Sequence, residues 1–140
     1  VAMKGFVINE KTGAYELVNS KTYKTDKDGN LNFSLAKGGD YTLLSTKEAA
    51  KIEKAILKTV APKKTKATVK KGKATTFALS SKLNKNNVKK ITYKSSKKSV
   101  ATVNKKGKIT AKKKGTAFVK ATVTLKNGKT KTVSMKITVK

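Results

Sequence analysis

Thr116-Ala117-Phe118-Val119-Lys120-Ala121-Thr122-Val123-Thr124-Leu125 decides the fold class. Every odd position from 117 to 125 is apolar, and the even positions are Thr, Phe, Lys, Thr and Thr. A period of two is the mark of a strand with one face buried. Asn127-Gly128 follows, a strong short-range hairpin signal, and predicts a type I′ turn with φ > 0 at both residues. The return strand is Thr132-Val133-Ser134-Met135-Lys136-Ile137-Thr138-Val139, again apolar at its odd positions.

Upstream, Thr75-Thr76-Phe77-Ala78-Leu79 and Ile91-Thr92-Tyr93 read as two further strands. Val100-Ala101-Thr102-Val103 turns through Asn104-Lys105-Lys106-Gly107 into Lys108-Ile109-Thr110-Ala111, and Gly72 and Gly115 mark other turns. Seven short strands at this spacing predict a β-sandwich over residues 63–140. Its expected core is Phe77, Leu79, Ile91, Tyr93, Val103, Val119, Val123, Val133 and Ile137.

Residues 1–45 are also strand-like, in Gly5-Phe6-Val7-Ile8-Asn9, Ala14-Tyr15-Glu16-Leu17-Val18, Leu31-Asn32-Phe33-Ser34-Leu35 and Tyr41-Thr42-Leu43-Leu44. Turn signals separate them at Lys11-Thr12-Gly13, Asp28-Gly29-Asn30 and Gly38-Gly39-Asp40. So small a sheet seldom stands alone. It reads as a partial unit, completed by sequence upstream or by packing on its neighbour. Residues 46–62 form the linker between the two units. Ser45 and Glu48 have capping-box spacing, and Ala49, Ile52 and Ile56 fall on one face, which predicts a helix over 46–57. Pro62 then stops a helix or opens an extended linker. A strand in Ala55-Ile56-Leu57-Lys58-Thr59-Val60 is the alternative. The fold class is therefore all-β, a sandwich preceded by a small partial β unit and a short helical or extended linker.

The charge is unevenly placed. Among the 140 residues there is no His, Cys, Trp or Arg, and all 35 basic residues are Lys. Residues 1–53 hold 8 Lys and all 7 acids; residues 54–140 hold the other 27 Lys and no acid. General acid–base catalysis needs a group that titrates near neutrality, usually His or a tuned carboxylate. Nucleophilic triads need a base beside Ser or Cys. Transition metals want Cys, His or carboxylate, and hard cations want carboxylate oxygens. The sandwich supplies none of these, so no enzyme activity, catalytic residue, cofactor or metal is expected. Asp26-Lys27-Asp28-Gly29-Asn30 invites a calcium reading, but Gly comes fourth rather than sixth and the twelfth position is Lys37 rather than Glu. It reads as a solvated turn. No apolar run approaches membrane-spanning length, so no membrane insertion is expected. The start and end carry neither signal peptide nor anchor, which fits a piece of a longer secreted chain.

Residues 63–140 resemble the group 2 bacterial immunoglobulin-like domain. The likeness is carried by Val69-Lys70-Lys71-Gly72-Lys73, Lys90-Ile91-Thr92-Tyr93-Lys94-Ser95-Ser96, Ser99-Val100-Ala101-Thr102-Val103-Asn104-Lys105-Lys106-Gly107-Lys108-Ile109-Thr110-Ala111, and Lys114-Gly115-Thr116-Ala117-Phe118-Val119-Lys120-Ala121-Thr122-Val123. Tyr93 stands where that family usually has Trp, and Phe118 where it usually has a small polar residue. The resemblance implies a seven-stranded immunoglobulin-like sandwich, found repeated in intimin- and invasin-like adhesins, other cell-wall proteins and phage tail proteins, and it implies no active site. Residues 5–45 carry a weaker likeness to the end of another surface-protein sandwich, through Thr25-Asp26-Lys27-Asp28-Gly29-Asn30-Leu31-Asn32-Phe33 and Gly39-Asp40-Tyr41-Thr42-Leu43.

The expected function is that of an extracellular spacer or adhesion module of a bacterial surface protein, whose partners are neighbouring modules of the same polypeptide. The alternative is a polyanion-binding module for cell-wall polymers or host acidic glycans, with Phe118, Lys112, Lys113, Lys114 and Lys120 as its surface contacts. Lysines can also simply keep strand edges soluble. Phe118 breaks the alternation of its strand, and either contacts a ligand or packs on a lysine stem or a neighbouring module. Specific nucleic-acid binding is not expected, since base readout relies on Arg and single-strand stacking on several exposed aromatics.

Overall fold

Residues 2–8, 12, 14–19, 22–28 and 41–140 are described by the computed structural model. The expected strand at residues 31–35 and the turn at 38–40 lie outside the described residues. In the hairpin, β10 (Gly115–Leu125) pairs antiparallel with β11 (Thr130–Val139), with Ala117 opposite Ile137, Val119 opposite Met135 and Ala121 opposite Val133. All five odd residues of β10 from Ala117 to Leu125 are fully buried.

The turn is not the type I′ turn expected. Gly128 has φ +84°, but no described non-glycine residue has positive φ, so Asn127 does not. Gly128 N–H donates to Leu125 O and Leu125 N–H to Lys129 O, a type I turn closed by a glycine bulge. The reason lies in the two strands. A two-residue loop at Asn127-Gly128 would set Ala117 opposite Thr138 and turn one strand's apolar face outward; the bulge restores the phase. The same device recurs at Asn104 to Lys108, where Gly107 has φ +79° and Asn104 Oδ1 accepts from the N–H of Lys106 and Lys108.

The hairpin forms the centre of a four-stranded sheet ordered β5-β11-β10-β7, in which β5 (Lys66–Val69) runs parallel to β11 and β7 (Val88–Ser95) runs antiparallel to β10. Against it lies a three-stranded sheet ordered β6-β9-β8, made of β6 (Ala74–Thr76), β8 (Ala101–Val103) and β9 (Lys108–Ala111). Pro62 bridges Leu79 beyond β6. Seven strands in two facing sheets make an immunoglobulin-like sandwich. Its central core holds Phe77, Ile109, Val119 and Ile137, with Leu79, Ile91, Tyr93, Val103 and Val133 half-buried against it. Val123 belongs to a second apolar cluster at one end of the sandwich.

The first unit forms its own sheet. β1 (Ala2–Ile8) is flanked by β2 (Tyr15–Leu17), by the short β3 (Tyr23–Lys24) and by β4 (Tyr41–Ser45), all antiparallel to it. The chain then enters α1 (Thr46–Thr59), two residues longer than the sequence predicts. Ser45 Oγ accepts from Glu48 N–H and donates to the Glu48 carboxylate at 2.8 Å, so both residues of the capping signal are used. The strand alternative for 55–60 does not form: Ala55 to Thr59 are the last turns of the helix.

The linker segment is not a solvated connector. Ala49, Ile56 and Val60 are buried with Phe6 and Leu17 of the first sheet and with Leu83, Val123 and Leu125 of the sandwich. The first sheet therefore packs on its neighbour, which is how so small a sheet buries enough apolar surface to hold.

Candidate functional site

Two arrangements carry chemistry beyond packing. One is the junction between the units. Glu53, on the inward face of α1, is 1% exposed. Its Oε1 accepts from Lys4 Nζ of β1 at 2.8 Å and its Oε2 from Lys129 Nζ, beside the β10–β11 turn, also at 2.8 Å. Burial alone would raise its carboxyl, but the hydrogen bonds from Lys129 and Lys4 outweigh that and hold it below the ordinary value of 4.5. The Asn127 side chain lowers it further, and its buried Nδ2 makes no hydrogen bond of regular geometry. Lys131 Nζ donates to Leu57 O at 3.0 Å, satisfying a carbonyl at the helix C-terminus. On the other flank, Leu17 N–H donates to Asn87 Oδ1 at 2.8 Å, and Glu16 Oε1 accepts from Asn84 and Asn86. Sequence reasoning missed Glu53 and Asn87. Both are polar residues at inward positions, and only knowledge of what packs on them shows that they are paired.

The other arrangement is the outer face of the four-stranded sheet. Phe118 is 45% exposed, and its N–H and C=O bond to Ser96 Oγ and Ser96 N–H, which fix the strand at the end of β7. Register places Lys136 of β11 beside Phe118 and Lys66 of β5 beside Lys136. One step along, Lys120 of β10 stands opposite Lys94 of β7. These four lysines are exposed and form a band that crosses all four strands. Thr122 and Thr132 hydrogen-bond to each other at 2.9 Å on one side of it. Of the residues singled out in the sequence, Phe118 and Lys120 come together here. Lys112, Lys113 and Lys114 are exposed in the connection from β9 to β10, where Lys112 and Lys113 N–H both donate to Val100 O. They are not part of the band. Lys66, Lys94 and Lys136 were missed, because the two-residue turn expected at Asn127-Gly128 sets Lys136 opposite Val119, and nothing local shows that β5 and β7 flank the hairpin.

A groove of about 610 Å³ opens beside β7, lined by Phe77, Leu79, Leu83, Val88, Ile91 and Tyr93 among others. Burial pushes the Tyr93 phenol up, and its ring meets Phe77 at 5.8 Å between centroids. Among the described residues no His, Cys, Asp or Glu cluster could hold a metal ion, and no helix is long and apolar enough to cross a membrane.

Four strands packed on three, with Tyr93 against Phe77 between them, define an immunoglobulin-like β-sandwich. Residues 56–134 match the model of the bacterial Ig-like domain, group 2, and the chain belongs to that family. The matched segment begins inside α1, earlier than the sandwich boundary drawn from the sequence. Among solved structures the chain is similar to the crystal structure of the S-layer protein SbsC domains 4 and 5, at 13% identity and a TM-score of 0.46, covering 98% of this chain and 96% of that chain. No curated protein matches the sequence.

Proposed function

We propose that this chain is a non-catalytic, extracellular spacer segment of a bacterial surface protein. Membership of the bacterial Ig-like family supports the setting. The observation that carries the reading is the junction: a spacer must hold distance, and two β units joined by a shared apolar cluster and a buried carboxylate clamped from both sides resist bending. Independent units would need only a solvated linker. The organisation proposed is a first unit over 1–45, the linker 46–62 with its helix Thr46–Thr59 as a wedge, and the sandwich over 63–140, with further modules of the same polypeptide as partners. The lysine surface gives the segment an attraction for anionic polymers around it. Backbone ¹⁵N relaxation of the full chain tests the reading. One tumbling time shared by Ala2–Ile8 and Gly115–Val139 supports it, and two independent tumbling times overturn it.

A further inference from the structure

The band on the outer sheet face has no role in spacing. Lysine on an open strand edge prevents edge-to-edge pairing, and that accounts for Lys66 on β5 and Lys94 on β7. It does not account for Lys120 and Lys136, which stand on the two inner strands of the sheet. Solubility does not account for them either, since this chain places lysine freely in turns, as at Lys71, Lys105 and Lys106. Like charges directly opposite on neighbouring strands cost stability. Here Lys120 faces Lys94 and Lys136 faces Lys66, and residues 54–140 contain no acid to relieve either pair. A ligand carrying negative charge along a line would turn that cost into binding.

We propose that the outer face of the β5-β11-β10-β7 sheet binds a linear acidic polysaccharide, with its anionic groups on Lys66, Lys136, Lys120 and Lys94 and one sugar ring against Phe118. Steps along the band are about 5 Å within a cross-strand pair and about 7–8 Å on the diagonal from Lys136 to Lys120. Chain-like anions fit such a line; a single small anion would meet only one pair. Phe118 selects carbohydrate. Its ring has an electron-rich face, and the C–H face of a pyranose is the complementary apolar, weakly positive surface. Thr122 and Thr132, four residues along their strands from Phe118 and Lys136 and past Lys120, offer hydroxyls to a following sugar of the chain. Single-stranded nucleic acid stacks successive bases on successive aromatics, and this face exposes one. The proposal rests on the surface-module reading only for where such a polymer is met.

Calorimetric titration of the full chain with heparin oligosaccharides, polygalacturonate, neutral dextran and duplex DNA at near-physiological salt tests it. Binding of at least one acidic polysaccharide, tighter than DNA and absent for dextran, is expected. Phe118→Ala weakens it about threefold to tenfold, the worth of one aromatic contact, and Phe118→Leu, which keeps an apolar side chain in the strand, does the same. Lys120→Gln with Lys136→Gln lowers affinity and reduces the salt dependence by about two charges. Lys105→Gln with Lys106→Gln removes equal charge from the β8–β9 turn and changes affinity less than about twofold, as surface charge away from a site does. Unfolding midpoints that do not fall below that of the wild type tie each loss to the face. No binding to either acidic polymer, equal losses from face and turn pairs, no effect at Phe118, or DNA bound as tightly overturns the proposal. Binding is read in solution, so its failure leaves the rigidity and location of the module untouched.

Discussion

Glu53 and Lys129 meet at 2.8 Å, and the same carboxylate meets Lys4 at 2.8 Å, so one buried acid ties the first strand of the chain to the turn of its last hairpin. The three side chains are unequal. That of Glu53 is 2% exposed, while those of Lys4 and Lys129 are 25% and 48% exposed. A lysine that loses its partner here can turn to water; the carboxylate cannot. Lys4→Ala with Lys129→Ala therefore leaves an unpaired buried charge and costs about 3–5 kcal/mol. Glu53→Gln keeps the shape and one acceptor oxygen, its NH2 cannot accept from the second lysine, which turns to water, and the change costs about 1–3 kcal/mol. Urea denaturation of the three proteins checks the order, and a larger loss for Glu53→Gln contradicts this account of the junction.

Acid should loosen the same joint. The Glu53 carboxyl is held below its ordinary value, so the folded state favours the ionised form more than the unfolded state does. The stability this contributes is fully present above about pH 4.5 and is lost as pH falls through the lowered folded value. Unfolding free energy of the wild type therefore drops more steeply below pH 4.5 than that of Glu53→Gln. Parallel curves would mean that the carboxylate is not clamped in solution.

The sandwich was legible because its strands bury one face, and period-two alternation records that directly, as in Ala117 to Leu125 and Val133 to Val139. Even the turn was legible in principle. Odd-numbered apolar residues on both strands face each other only if the loop carries an extra residue, which rules out the two-residue turn that Asn127-Gly128 suggests. What stayed hidden depends on packing between distant segments. Glu53 lies on the same helix as Ala49 and Ile56, and nothing local marks it as paired with lysines 49 and 76 residues away. Likewise Lys66 and Lys136 become neighbours only through the parallel pairing of β5 with β11.

Gly107 tests how closely the two sheets approach. Its φ of +79° alone would cost an L-residue about 1–2 kcal/mol. A Cβ there would also stand 2.9 Å from Tyr93 Cζ and 3.1 Å from Phe77 O. Gly72 and Gly128 share the backbone conformation, at φ +80° and +84°, but a Cβ on either meets nothing within 4 Å. Gly72→Ala and Gly128→Ala should therefore cost about 1–2 kcal/mol each, and Gly107→Ala a further 1–3 kcal/mol or so for overpacking against Tyr93. Thermal unfolding of the three variants ranks them, and equal losses would show that Tyr93 does not press on the β8–β9 turn.

Net charge sets the last expectation. The chain carries +28, and the ion pairs seen among the described residues converge on Glu53, where the carboxylate is shielded from solvent. Repulsion among exposed lysines is thus the larger salt-sensitive effect. Raising NaCl from 0.01 M to 0.15 M shortens the screening length from about 30 Å to about 8 Å. Repulsion across the molecule is then largely removed, while lysines about 5 Å apart across strands still feel each other. The unfolding midpoint should therefore climb through this range and continue upward more slowly towards 1 M, where screening reaches about 3 Å. Lys120→Thr deletes one cross-strand clash with Lys94 and puts a good strand former in its place. It should raise the midpoint at low salt and narrow the gap between low and high salt. A midpoint that falls as NaCl is added would mean that attractive pairs, not lysine repulsion, dominate the surface, and that the band costs this fold nothing.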